Sequence, residues 1–204
     1  MQPIETLDDL VALYGTPSAA ALRKEADRLT DDYAAFIRAA RFMALTTVGP
    51  EGTDCSPRGD KGPVAVIHDE QTLLIPDRRG NNRIDSLRNI VRDPRVSLMF
   101  LIPGSPTIIR VNGAAFITAE PTVLEALAEQ GKPPRSVIVV KIDVIYFQCS
   151  RALMRSGLWN QAADGEATTG LPTAGQILAN MTSGEVGGEA YDREWPQRAV
   201  DSLW

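Results

Sequence analysis

Residues 56 to 92 read SPRGDKGPVAVIHDEQTLLIPDRRGNNRIDSLRNIVR, and this stretch decides how the chain folds and what it holds. Two clusters built alike, Ser56-Pro57-Arg58-Gly59-Asp60-Lys61 and Asp77-Arg78-Arg79-Gly80-Asn81-Asn82-Arg83, flank two short apolar runs at 64–68 and 72–75. The runs have strand length and join across Asp69-Glu70, which predicts a hairpin. The second cluster opens directly into a helical pattern over 82–91, with Ile84, Leu87, Ile90 and Val91 as its expected buried face and Pro94 beyond its end. A guanidinium fork, a glycine-containing backbone and a helix N-terminus together suit a phosphate dianion. The stretch therefore predicts a binder of a phosphorylated cofactor.

Outward from it the pattern is mostly strands. Upstream, Phe42-Met43-Ala44-Leu45-Thr46-Thr47-Val48 reads as a strand and Gly49-Pro50-Glu51-Gly52 as the turn into the next one. Downstream, 96–102, 107–118 and 136–147 read as strands, with Asn112-Gly113 marking a turn or a bulge. A helix is expected over 121–130 with Glu120 as a weak cap. In the first 40 residues, Thr16-Pro17 and Thr30-Asp31-Asp32 predict two helix starts, the second placing Tyr33, Phe36 and Ile37 on a buried face. Strands in hairpin succession, without strand–helix alternation, give a mainly β fold with flanking helices (α+β) that closes into a small barrel. The expected organisation is helices packed on the barrel at 1–40, the barrel at 41–160, and an extension at 161–204. That extension starts polar (QAADGEATTG), carries one short helix over 173–181, and ends in an aromatic tail without period.

Composition narrows the function. A net charge of −5 speaks against general nucleic-acid binding, so a basic patch in this acidic chain points to a small anionic ligand. No apolar run reaches the 18 residues of a membrane span, and the acidic N-terminus is unlike a signal peptide, so a cytoplasmic protein is expected. Cys55 and Cys149 then read as free thiols, and the single histidine, His68, as a solvated turn residue; one histidine excludes a His-rich metal site. Serine-triad, P-loop and dinucleotide-fold fingerprints are absent.

The order SPRGD, IPDRRGNNRIDSLRNIVRDPRVSLMFLIPG, IRVNGAA and CSRALMRSGLW resembles the pyridoxamine 5′-phosphate oxidase-related FMN-binding proteins, over about residues 35–160. The resemblance implies an FMN-binding split β-barrel and a homodimer with an FMN cleft at each of two places on the interface. It implies an oxidoreductase passing a hydride or electrons between a small substrate and FMN. The chain departs from the family pattern at Gly62-Pro63, where a Gly-Phe pair is common, and at Ser150-Arg151, where a lysine is usual. Both departures fall on the substrate side. They favour the alternative of a flavin carrier or sensor without turnover; a split barrel using deazaflavin or haem is the third reading.

Within that frame each residue has an expected place. Arg78, Arg83 and the backbone around Gly80, Asn81 and Asn82, next to Asp77, suit the phosphate, with the helix dipole adding to their charge; Arg79 reads as a solvated turn residue. Ser56, Pro57, Arg58 and Gly59 are expected along the ring edge, with phosphate contact as the other reading for Arg58. Arg110 is expected either to reach the flavin from the partner subunit or to face outward as an ordinary strand charge. Arg155 and Trp159 follow the last strand, where relatives place residues over the cofactor, and Trp159 either stacks near the ring or closes the barrel end. Because the redox step belongs to the flavin, no protein nucleophile is required.

Overall fold

The structure, a computed structural model, describes residues 1–159 and 170–201. The polar stretch read as loose falls, up to residue 169, outside them. Among the described residues, seven strands form one antiparallel sheet: β1 (Phe42–Gly49), β2 (Gly52–Gly59), β3 (Val66–Asp69), β4 (Thr72–Asp77), β5 (Arg95–Leu101), β6 (Ile108–Thr118) and β7 (Ser136–Gln148). Their spatial order is β2-β1-β5-β6-β7-β4-β3. Alternation explains the curvature and the core. Met43 and Leu45 on β1, Leu98 and Phe100 on β5, and Val111 on β6 point to one side and are buried there with Leu73, Ile75, Ile138 and Ile145.

Asn112-Gly113 marks a bulge, not a turn. Register passes from Asn112↔Val144 to Gly113↔Ile142, which leaves Asp143 of β7 as the extra residue. A Cβ on Gly113 would stand 2.0 Å from the Lys141 carbonyl oxygen, so only glycine lets the two backbones come this close.

The ladder ends at β2 on one side and β3 on the other, yet the sheet curls until the far ends of β2 and β4 meet. Side chains join them there: Arg58 of β2 bonds Asp77 of β4, and Arg78 donates to Asp60 at 3.0 Å. The barrel is thus split, with ion pairs bridging the opening, and the fold is a mainly β split barrel with flanking helices.

Before the barrel come α1 (Leu7–Tyr14), α2 (Ala19–Arg23) and α3 (Asp31–Ala39). Thr30 caps α3 as its sequence predicts, and Ala34 and Ile37 enter the core. The cap of α2 is Ser18 rather than Thr16, since Ser18 is the residue whose hydroxyl reaches the Ala21 N–H. α1 buries no residue.

α4 (Asp85–Arg92) corrects the sequence reading twice. It begins three residues later than expected, because Asn82 (φ 60°) and Ile84 (φ 44°) have left-handed backbone that a helix cannot include. Its buried residues are Ser86, Asn89 and Ile90, whereas Ile84 and Val91 are exposed and Leu87 is half-buried. Polar mooring sets this phase. Ser86 Oγ donates to Asp54 Oδ2 at 2.5 Å, Asn89 Nδ2 to Thr47 Oγ1 at 3.1 Å, and Arg92 to Glu51 at 2.6 Å. Asn89 sits so closely over β1 that a Cβ on Gly49 would meet its Oδ1 at 2.2 Å.

α5 (Pro121–Ala126) is shorter than predicted, and Glu120 makes no capping bond with its side chain. After β7 follow α6 (Arg151–Ser156), α7 (Ala174–Met181) and α8 (Gly188–Asp201). α7 is the helix expected in the extension, and its capping box joins Thr173 and Gln176. α8 was not expected: Pro196 lies inside it and charged residues interrupt its apolar positions. His68, Cys55 and Cys149 are exposed, and both thiols are free. Among the described residues, no helix is long and apolar enough to cross a membrane, and no three His, Cys, Asp or Glu side chains are placed to hold a metal ion.

Candidate functional site: a cleft at the split of the barrel

The split opens into a cleft of about 680 Å³. Ser56, Pro57, Arg58 and Gly59 of β2 form one wall. Asp77 and Arg78 at the end of β4, with Asn81, Asn82 and Arg83 of the following loop, form the other. The two sequence clusters thus face each other across one space, because β2 and β4 run to the same end of the barrel.

Within the cleft the cations fall into two kinds. Arg58 and Arg78 are mostly buried and engaged. Arg58 is bonded to Asp77, while Arg78 donates through Nε to Asp60 and through Nη1 to the Leu127 carbonyl at 2.8 Å. Arg58 Nε is the exception: it is buried and has no partner among the described residues. A buried donor left unbonded is costly, so this atom marks a place where a ligand acceptor fits.

Arg83 is the opposite case, with its side chain 80% exposed. Its Nε donates to Asp85 Oδ2 at 2.5 Å, and that bond to the carboxylate raises its pKa further above the ordinary arginine value. The Arg83 N–H donates to Asn81 Oδ1 at 3.0 Å, fixing the loop as a local turn. Asn82 Oδ1 accepts from Arg135 Nη1 at 2.7 Å, and the Arg135 N–H reaches back to the Asp77 carbonyl at 3.3 Å. The loop thereby presents Arg83 and Arg135 at the rim.

Three expected residues lie elsewhere on the chain. Arg110 stands on β6 with its guanidinium 5.2 Å from the Tyr146 ring centroid, on the outer side of the sheet. Arg155 is exposed on α6. The Trp159 indole donates to the Ser105 carbonyl at 2.9 Å. None of the three lines the cleft.

Other lining residues escaped the sequence reading. Asp54 and Ser86 come together as the mooring of α4, and Arg135 arrives because β4 pairs with β7 in the register Asp77↔Ser136. Ile84 follows from the late start of α4. Trp195 comes from α8, beyond the barrel. Tyr191, Trp195 and Arg198 do have helical spacing in the sequence, and Pro196 hides it.

A split barrel of this kind is the fold of a class of flavin-binding proteins. The family model for pyridoxamine 5′-phosphate oxidase matches residues 29–149, more than half of the chain, and the chain belongs to that family. Flavin binding and oxidoreductase-like function are properties of the family as a whole. No curated protein matches the chain.

Among solved structures it is similar to HupZ of Group A Streptococcus, at 17% identity over 60% of this chain and 95% of that one, with a TM-score of 0.49. It is similar to General Stress Protein 26 of Bacillus anthracis, at 20% identity over 56% and 88%, with a TM-score of 0.42. An FAD binding protein of Mycobacterium smegmatis is similar at 11% identity over 60% and 97%, with a TM-score of 0.39.

Proposed function

We propose that this chain binds FMN in the cleft and, as a cytoplasmic homodimer, passes a hydride or electrons between a small substrate and the flavin. The observation that carries this reading is the buried, unpartnered Nε of Arg58 inside a cleft of about 680 Å³. Ligand sites commonly hold roughly 300–1,000 Å³, so a flavin mononucleotide fits. Pro57, Val64 and Pro76 supply flat apolar wall, and the rim loop supplies Arg83 and Arg135 to a phosphate.

FMN, when bound, supplies the two-electron chemistry. The chain's own residues bind and orient it. Arg58, kept in place by Asp77, offers a fixed cation to the ring edge, and the 81–83 turn sets the position of the phosphate cations. The outer face of the sheet supports the homodimer. Ala44, Met99, Arg110 and Tyr146 line up across four strands there, and Met99, Phe42 and Phe116 are exposed. Pairing two such faces covers them, and Arg110 of that face then comes near the partner subunit; the resemblance implies that Arg155 and Trp159 approach the cofactor as well. On this reading residues 41–160 form the cofactor-binding unit.

The absorption spectrum of purified protein incubated with FMN and freed of excess tests the assignment. Retained flavin bands that bleach with NAD(P)H and return in air are expected, together with the mass of a dimer in solution. A protein that stays colourless with FMN overturns the reading.

A further inference from the structure

We infer that the C-terminal helical hairpin forms a further wall of the cleft, with Trp195 as the aromatic cover of the bound cofactor's planar ring. The inference rests on the flavin reading of the cleft. It concerns residues outside the 29–149 that the family model matches.

The hairpin is built to hold one geometry. Asp192 of α8 caps the start of α7, accepting from the Gly175 N–H at 2.8 Å and from Thr173 Oγ1 at 2.5 Å. Backbones touch at the crossing: a Cβ on Gly175 would stand 2.4 Å from the Gly188 carbonyl oxygen, so a side chain there would force the helices apart. Asp192 and Trp195 are three residues apart on α8, so fixing the first against α7 also aims the second.

The indole is further held by its own neighbours. Trp195 stacks on Tyr191, four residues earlier, with ring centroids 5.9 Å apart and planes within 5°. The Arg198 guanidinium lies 5.6 Å from the Trp195 ring and 4.9 Å from the Tyr191 ring. This ladder points its tryptophan at the cleft lined by Ser56, Arg58, Asp77 and Arg83. A tryptophan that only closed a core would be buried. Trp195 keeps 49% of its surface exposed while lining the cleft. An aromatic side chain lining the cleft suits a flat fused ring, and its action is on the ring rather than on the phosphate.

Titration with FMN and with riboflavin, followed by tryptophan fluorescence, tests this on the full chain. FMN is expected to quench the wild-type signal. Trp195→Phe removes a large share of that quenching with an unchanged melting temperature. Trp195→Ala weakens both ligands by the same factor, about three- to tenfold. If the wild type binds FMN and both Trp195 variants bind it equally tightly with the quenching intact, the inference is overturned. If the wild type binds neither ligand, the flavin reading itself has failed.

Discussion

The two basic clusters look alike in sequence and do different work in the structure. In the first, Arg58 and Asp60 are turned inward, and each finds its counter-charge in the second, at Asp77 and Arg78. The likeness of the motifs is thus a complementarity: each supplies one arginine and one aspartate to a crossed clasp over the split. The remainder of the second cluster, from Asn81 to Arg83, takes no part in that clasp and stays at the solvent-facing rim. Cations of one residue type are divided by burial into those that hold the barrel together and those that stand at the exposed rim. A basic motif read without its fold cannot show that division.

The largest expected effect comes from cutting the clasp. The Asp60 side chain is 7% exposed and Arg78 17%, so Asp60→Ala leaves a largely desolvated guanidinium without its carboxylate. Removing one partner of such a pair costs about 3 kcal/mol, read from urea unfolding. The double variant Asp60→Ala/Arg78→Ala should lose less than the sum of the single losses, because neither charge is then stranded. A loss below about 1 kcal/mol for Asp60→Ala would mean that the pair behaves as a surface bridge, and the distinction between clasp and rim would collapse.

Arg83→Ala probes the other half of the comparison. Its unfolding midpoint should match the wild type, because its ion pair with Asp85 is exposed. FMN affinity should fall on the order of 10- to 100-fold, the worth of a charge-assisted hydrogen bond. Riboflavin, which lacks the phosphate, should lose far less. Equal losses for the two flavins would move Arg83 from a phosphate role to one in loop structure.

How far the sequence carried these conclusions depends on the kind of signal. β1, β5, β6 and β7 are legible because their apolar residues alternate, or run continuously, over seven to thirteen positions. α4 is legible in part: Ile90 is buried as its spacing predicts, but Ser86 and Asn89 complete the inward face in place of Ile84 and Val91, and a count of apolar residues does not find them. Ser56 to Gly59 and Asp77 to Arg83 were legible as local motifs. Arg135 and Trp195 were not, because strand register and a helical hairpin bring them to the cleft from far along the chain. Neither carries a local signal of its destination. The reciprocal pairing of the clusters was hidden for the same reason: Arg58 and Asp77 are 19 residues apart, and only the curl of the sheet makes them neighbours.

Ile84 offers the finest test of the rim. It is a β-branched residue at φ 44°, ψ 21°, immediately before α4, with no side-chain cap bond. Left-handed backbone costs such a residue roughly 1–2 kcal/mol, and strain of this kind collects at ligand sites. With 46% of its surface exposed, Ile84 recovers little by burial. Asparagine tolerates the same backbone well, so Ile84→Asn should raise stability by up to about 1 kcal/mol, measured by urea unfolding. The clasp is expected to respond to substitution only by loss, and the rim to gain when its strain is relieved. If Ile84→Asn instead destabilises the fold, the isoleucine is packing the loop against the cleft wall, and the rim belongs with the clasp as part of the barrel's own closure.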